Sequence, residues 1–159
     1  MNEVFASGID DQARHKVVGL LNARLADMIS LTLAVKQAHW TLKGPGFIGV
    51  HELLDDVAER LREGADLMAE RTVVLGGQAK GTVEEVSGKT SVAPYPTDLV
   101  DIEGHVAALT ERYKSVGAAL REAIATTADA GDAVTEDLFT EVSSIIDKDA
   151  WFIGANAKV

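Results

Sequence analysis

The side chains with the clearest chemical potential lie between residues 37 and 70. Two histidines and three carboxylates there are of the types that ligate metal ions: His39, His51, Asp55, Asp66 and Glu70. Imidazole nitrogen and carboxylate oxygen together suit iron, manganese or zinc. The chain has no cysteine, which excludes thiolate ligands and disulfides and is typical of a reducing compartment. The pattern predicts a metal site with mixed nitrogen and oxygen ligands.

The last four of these residues fall on one sector of a single predicted helix. At about 100° per residue, with His51 at 0°, Asp55 lies near 40°. On the same scale Asp66 and Glu70 lie at about 60° and 100°. A rise of about 1.5 Å per residue separates His51 from Asp66 by roughly 22 Å, whereas metal–ligand distances are only about 2.0–2.6 Å. One chain therefore supplies two half-sites and no complete site.

Two copies of this helix, packed antiparallel about a two-fold axis near residue 60, would complete the site. His51 and Asp55 of one chain would face Asp66 and Glu70 of the other. A two-fold interface makes each contact twice, so a dimer would hold two identical sites.

Other interpretations of these residues remain open. Asp56 points to about 140° on the same helical wheel, which favours Asp55 as the ligand, while Glu52, at about 100°, is a further candidate. Acidic pairs four residues apart are also common as solvated charges on helix surfaces, and a lone histidine is more often structural than a ligand. We interpret His15 and His105 as surface residues.

Composition and charge restrict the class of protein. The 159 residues suffice for one domain, 47% are hydrophobic and the net charge is −10. Such an acidic chain disfavours nucleic acid as a general partner, since phosphate is bound mainly by lysine and arginine clusters. No run of 18 or more apolar residues indicates a membrane span, and the N-terminal segment lacks the pattern of a secretory signal. We therefore expect a cytoplasmic protein.

Apolar residues at three- and four-residue steps predict four long helices. They cover about residues 10–42, 48–75, 98–127 and 135–156, with Asp98 as the cap of the third and breaks at the glycines near residues 44, 76 and 131. A linker of about twenty residues after the second helix contains a possible short helix at residues 82–87. The predicted fold is all-α, a four-helix bundle whose long crossover between helices 2 and 3 is the ferritin-like arrangement. The usual ligand motif inside such bundles, Glu-x-x-His, is absent from the sequence.

Several further motifs carry a family resemblance. They are KQAHW, the Gly-Pro-Gly break, F-I-x-V-H-E-L-L-D, D-x-M-A-E-R, the Leu-Gly-Gly stop, Tyr95-Pro96, Asp147-Lys148 and Trp151-Phe152. Over nearly its whole length the chain resembles the Dps family, the mini-ferritins named for DNA protection during starvation. The resemblance implies a single ferritin-like domain over residues 1–159, with residues 1–9 as a short mobile tail.

The resemblance also implies an activity. Members form hollow shells of twelve subunits, a homo-oligomer with ferroxidase sites at the two-fold interfaces. Carried over, His39, His51 and Asp55 come from one subunit and Asp66 and Glu70 from its mate. Fe(II) would be oxidised, preferably by hydrogen peroxide, and stored as an Fe(III) mineral, with zinc or manganese as competing ions. Trp40 would relay electrons or quench reactive oxygen species, or else be a buried aromatic residue at the dimer interface.

The acidic start of the fourth long helix is the predicted route for iron. Between residues 129 and 147 there are six acidic residues and no lysine or arginine. In Dps-like shells this region lines a three-fold pore, and Asp132 and Asp137 are our candidates for a cation funnel. The alternative is that acids here simply stabilise a helix N-terminus.

Two other functions compete with iron storage. A nucleoid DNA-binding shell has the same fold, but the lysine-rich tail of DNA-binding members is missing here, so direct DNA binding is doubtful. A divalent-metal binder, for zinc as an example, would use the same ligands without ferroxidase activity.

Overall fold

The computed structural model describes residues 3–158, which form five helices and no β-strand. In chain order they are α1 (Asp11–Thr41), α2 (Phe47–Val74), α3 (Val83–Lys89), α4 (Ile102–Asp129) and α5 (Ala133–Gly154). The predicted all-α bundle is confirmed, and α3 is the short helix expected within the crossover. Met1, Asn2 and Val159 lie outside the described residues.

The four long helices pack as two hairpins. The first is α1 with α2 and the second is α4 with α5, and further contacts join α1 to α4 and α2 to α5. Gly64 marks a close approach of α1 and α2, because a Cβ atom there would lie 2.8 Å from the Cε atom of Met28. Apolar side chains from all four helices fill the interior, including the fully buried Leu21, Leu54, Tyr113 and Phe139.

The crossover, residues 75–101, is held to α1 by buried polar contacts. The carboxylate of Asp27 is fully buried and accepts hydrogen bonds from the backbone N–H of Ser91 (2.6 Å) and from the hydroxyl of Thr90 (3.1 Å). It also pairs with Arg24 at 2.9 Å. These bonds fix α3 and the segment after it against α1.

The structure corrects the predicted cap of α4. The cap is Asp101, whose Oδ1 accepts from the N–H of Gly104 at 2.8 Å, and not Asp98. The N–H of Lys43 donates to the carbonyl of Val100 at 2.8 Å, which keeps the chain extended to residue 101. The hydrogen bond from the N–H of Gly104 is the largest cause of the lowered pKa of Asp101.

The structure also corrects the prediction that His105 is a surface residue, because the residue is buried. Only 1% of the residue is exposed, under the crossover at the start of α4. Its ring contacts the hydroxyl groups of Tyr95 and Thr41. His15 is exposed as predicted.

The N-terminal segment is in contact with the bundle over its described part. The N–H of Phe5 donates to the carbonyl of Val74 at 3.0 Å, and Ala6 and Ile9 pack against the core. Residues 3–9 therefore lie along the end of α2. The predicted mobility of residues 1–9 stays a prediction, and its first two residues lie outside the described part of the chain.

One helix of the described chain, α1, is apolar enough by length and composition to cross a membrane, with a mean hydropathy of 1.4. Half of its most apolar window is buried inside the bundle, and the core helix of a globular protein meets the same criterion.

Candidate metal centre

A tight turn between α1 and α2 brings two histidines face to face. Gly44 and Gly46 have φ angles of 131° and 81°, a backbone region that favours glycine, and they reverse the chain between the helices. His39 lies near the end of α1 and His51 near the start of α2. Their rings stack with centroids 3.7 Å apart and an interplanar angle of 19°.

Reciprocal hydrogen bonds fix the orientation of both rings. Nδ1 of His39 lies 2.9 Å from the carbonyl oxygen of His51, and Nδ1 of His51 lies 2.9 Å from the carbonyl oxygen of His39. A carbonyl oxygen only accepts, so each Nδ1 carries the proton and donates it. In the neutral imidazole, each Nε2 then keeps the lone pair with which it can bind a metal.

Asp55 joins the pair from the next turn of α2. Its Oδ1 lies 3.6 Å from Nε2 of His39, and its side chain is 57% exposed. The hydrogen bond with Lys36 is the largest cause of the lowered pKa of Asp55; burial opposes it, and the charge of Lys36, together with those of His39 and His51 when they are protonated, lowers the pKa further. The carboxylate is therefore ionised and available as an anionic ligand.

Lys36 is a site residue that the sequence reasoning missed. Its Nζ lies 2.5 Å from Oδ1 of Asp55 and 5.8 Å from the ring centroid of Trp40. The ammonium group of Lys36 thus lies beside the Asp55 carboxylate, in the place that a metal cation would take. Helical spacing could have revealed Lys36 in the sequence. Residues three and four apart on a helix share a face, and His39 and Trp40 follow Lys36 at those steps. Trp40 itself is 68% exposed, so within one chain it is a surface aromatic residue.

Asp66 and Glu70 lie apart from this cluster. Both side chains are exposed, and neither makes a hydrogen bond or ion pair with another residue of the described chain. They lie on the same uninterrupted helix as His51, so the axial distance of about 22 Å between His51 and Asp66 stands. Of the five predicted ligands the structure brings together three, and no group of three or more histidine or acidic side chains within residues 3–158 is arranged to hold a metal ion.

The two candidate ligands left open by the sequence lie outside the cluster as well. Glu52 and Asp56 are exposed, with no ion pair or hydrogen bond to another described residue. The pKa of Arg60 is raised mainly by its hydrogen bond with Asp149, and the charge of the neighbouring Asp56 raises it further.

The interior of the bundle holds a different polar group. The guanidinium group of Arg60 donates to the fully buried carboxylate of Asp149 at 2.7 Å, linking α2 to α5. A buried carboxylate paired in this way serves helix packing, which agrees with the missing Glu-x-x-His motif.

Of the two pore candidates, Asp132 is buried within the single chain. It is 2% exposed, caps α5 through the N–H of Thr135 (3.1 Å) and pairs with Arg71 at 2.8 Å. Its carboxylate is thus committed to partners in its own chain, and its role at a pore stays a prediction. Asp137 is exposed and stays a prediction.

Known proteins match this chain over most of its length. A family model described as a ferritin-like domain matches residues 18–158. A DNA protection during starvation protein from Agrobacterium fabrum is 46% identical over 150 residues, covering 94% of this chain and 93% of that protein. The protein of the same name from Mycolicibacterium smegmatis is 34% identical over 149 residues, covering 94% of this chain and 81% of that protein.

Solved structures match over almost the full length. Mycobacterium smegmatis Dps in a tetragonal form superposes with a TM-score of 0.94 at 32% identity, covering 100% of this chain and 96% of that one. An archaeal Dps homologue from Halobacterium salinarum gives a TM-score of 0.90 at 30% identity, covering 98% and 88% of the two chains. The chain therefore belongs to the ferritin-like superfamily and, within it, to the family of DNA protection during starvation (Dps) proteins.

Proposed function

We propose that the protein is a ferroxidase and iron store whose oxidation sites form between two subunits. The observation that carries the proposal is the pair of stacked imidazoles, each held by Nδ1 with its Nε2 lone pair free. Asp55 stands beside them, while the matching acids Asp66 and Glu70 have no partner in the described chain. A half-site with preset ligands and a separate pair of unpaired carboxylates is what a site shared across a two-fold axis requires.

The surface around Asp66 supports burial against a second copy. A groove of about 380 Å³ runs beside it, lined mostly by apolar residues of α1 and α2. Leu33, which lines this groove, is 59% exposed. Apolar surface next to unpaired carboxylates is costly to leave in water, and an antiparallel mate would cover it while delivering its own His51 and Asp55.

The donor set fits iron as the substrate. Two neutral imidazoles and three carboxylates hold Fe(II) through nitrogen and oxygen, and the anionic oxygens favour Fe(III) after oxidation. Hydrogen peroxide takes two electrons, one from each of two Fe(II) ions, and the Fe(III) then hydrolyses to an oxyhydroxide and releases protons. Consuming Fe(II) and peroxide together leaves neither to generate hydroxyl radicals.

The residues of the half-site have distinct roles in this reaction. His39 and His51 present fixed lone pairs, so little ordering is needed when iron binds. Asp55 is held ionised by Lys36, and the ammonium group must move aside when a metal ion takes its place. Trp40, next to His39 and exposed, is placed to give up an electron.

The proposal also covers the assembly of the subunits, the entry of iron and the location of the protein in the cell. A dodecamer in the cytoplasm would enclose the mineral, and its mass would be about 200 kDa, twelve times the 16.9 kDa of the chain. Three exposed copies of Asp137 around a three-fold axis would draw cations inwards. Protection of DNA would be chemical, because a chain of net charge −10 repels phosphate.

The test is anaerobic loading with Fe(II) followed by stopped-flow oxidation with peroxide or oxygen. We expect wild type to consume about one peroxide per two Fe(II), much faster than with oxygen, and Asp66→Ala to lose the fast phase. Glu63→Ala is the matched control, an exposed acid one turn away on the same helix, and it should keep the fast phase. Zinc bound without any fast oxidation in wild type would replace the ferroxidase proposal by that of a metal carrier.

A further inference from the structure

A second chemically equipped pair lies outside the metal centre, between the crossover and α4. The hydroxyl group of Tyr95 lies 2.7 Å from Nδ1 of His105, and the two rings are nearly parallel at 10°, with centroids 6.0 Å apart. His105 is buried and Tyr95 is half-buried. Neither residue has a role in iron binding as proposed above.

The neighbouring hydroxyl of Thr41 determines where the protons are. Thr41 has one hydroxyl hydrogen, which it donates to the carbonyl of Gln37 at 2.8 Å. In its 3.3 Å contact with Nε2 of His105 the same oxygen must therefore accept. Nε2 then carries the ring proton, and Nδ1 accepts the hydrogen of the Tyr95 hydroxyl. Tyr95 is a phenol that donates directly to a base.

The burial and the charges around Tyr95 favour its oxidation by loss of an electron and a proton in one step. Burial raises the pKa of Tyr95 to about 12, against the opposing charge of Arg112, so the phenol does not ionise first. Burial lowers the pKa of His105, outweighing the effects of the Leu99 backbone and of Asp101, so the imidazole is a free base at neutral pH. The Arg112 guanidinium, 5.1 Å from the centroid of the Tyr95 ring, disfavours a positively charged ring.

We propose that Tyr95 and His105 form a redox-active pair, at which a one-electron oxidant is quenched by coupled loss of an electron and a proton. With a hydroxyl radical as the oxidant, Tyr95 gives up one electron and the radical becomes hydroxide. The phenolic proton passes to Nδ1 of His105, leaving a neutral tyrosyl radical and an imidazolium ion. An external reductant of the thiol or ascorbate class returns the electron, and the proton goes back to the phenolate oxygen.

The pair is placed to serve the metal centre. Thr41, which contacts His105, directly follows Trp40 and lies two residues from His39 in the sequence. An oxidising equivalent that escapes at the centre therefore has a short bonded route to Tyr95. The role of the pair beside the metal centre rests on the proposed ferroxidase function. The redox chemistry of Tyr95 and His105 does not depend on that function.

The chain contains its own control in the second of its two tyrosines. Tyr113 is fully buried, and its hydroxyl has no hydrogen-bond partner among residues 3–158. Oxidation of Tyr113 would leave its proton without an acceptor. The radical is therefore expected on Tyr95 and not on Tyr113.

The experiment uses the iron-free full-length protein and azide radicals made by pulse radiolysis, with the tyrosyl radical followed by optical absorption and by freeze-quench electron paramagnetic resonance. Wild type and Tyr113→Phe should give the signal, and Tyr95→Phe should lose it. His105→Gln keeps an acceptor but no comparable base and should slow radical formation about 100-fold, the lower end of what a positioned base contributes to proton transfer. Formation in wild type should also slow in D2O, which a purely structural role would not cause.

The proposal is overturned if the signal survives in Tyr95→Phe, if Tyr113→Phe removes it, or if His105→Gln and D2O leave the rate unchanged. Thr41→Val is a milder second variant, which keeps the ring of His105 and removes the contact at Nε2 together with the hydrogen bond to the carbonyl of Gln37; it guards against misfolding of the histidine variant. Asp66→Ala, which lacks the proposed ferroxidase site, should give the wild-type radical signal. Failure of the ferroxidase function and failure of the redox pair are thereby separable.

Discussion

If the proposed site is shared between two subunits, mixtures of two inactive variants should behave in a defined way. His51→Ala destroys one half-site and Asp66→Ala the other, and each variant alone should lose the fast oxidation of Fe(II) by at least about 10–100-fold, the range for loss of even a supporting group of a metal ligand. In a mixed dimer, both mutations fall in the same one of the two sites, because each site takes His51 from one chain and Asp66 from the other. The second site of that dimer is then intact.

The expected recovery follows from symmetry. Random pairing of equal amounts makes about half of the dimers mixed, and each mixed dimer has one intact site of two. The mixture should therefore recover about a quarter of the wild-type fast-phase amplitude at the wild-type rate. The assay is co-expression of the two variants with different tags, tandem purification of mixed assemblies, and stopped-flow oxidation with peroxide.

The controls decide what a result means. His51→Ala mixed with Asp55→Ala should recover nothing, because these two ligands belong to the same half-site and no pairing restores it. If the His51→Ala and Asp66→Ala mixture also recovers nothing, while sizing shows mixed assemblies, the ligands act within one chain and the two-fold argument is refuted.

Three further predictions follow from the described contacts. Lys36→Met removes the cation that competes at the half-site and should tighten Co(II) binding about two- to fivefold, the equivalent of a partly exposed ion pair; unchanged affinity in calorimetry would contradict this. Asp132→Ala removes a helix cap and leaves Arg71 unpaired, at a cost of about 3 kcal/mol in the free energy of unfolding, whereas Asp137→Asn should slow Fe(II) uptake and leave the denaturation midpoint unchanged. The pKa of His105 in the folded chain lies below its ordinary value of 6.5 because of burial, so the folded state binds fewer protons than the unfolded chain. Its contribution to stability is complete above about pH 6.5 and is lost as the pH falls, and His105→Gln should flatten the fall in melting temperature between pH 7 and 5.

The architecture was predictable because its signals are local. Apolar residues at three- and four-residue steps specify each long helix, and the glycines at 44, 76 and 131 end them. The ligand spacing on α2 was likewise readable, since it depends only on helix geometry. The cap of α4 was placed three residues too early, because the hydrogen bond from Lys43 to Val100 that holds this segment extended joins distant parts of the chain.

The burial of His105 and of Asp132 was not predictable from the sequence, and the reason is the same for both. Both are polar residues whose partners are remote in sequence: Thr41 for His105, and Arg71 for Asp132. His105 stands four residues before the buried Leu109, so helical spacing alone placed it on the inner face, and only its polarity argued for the surface. For Asp132 no spacing rule reveals an arginine 61 positions away. The orientation of the His39 and His51 rings was unpredictable for the same reason, since it depends on the path of the turn between the helices.

The contrast between the two half-sites has a functional consequence. His39, His51 and Asp55 are ordered within one chain by bonds that need no partner, whereas Asp66 and Glu70 are oriented by nothing in the described residues. A free subunit would therefore offer only an incomplete half-site for a metal ion. On the proposed function, full affinity arises only when a second copy brings its carboxylates, so oxidation of iron is confined to assembled protein, where the Fe(III) product can be enclosed. Assembly and activity would then fall together in any variant that weakens the two-fold interface, and Leu33→Asp, on its exposed apolar surface, should reduce both in proportion.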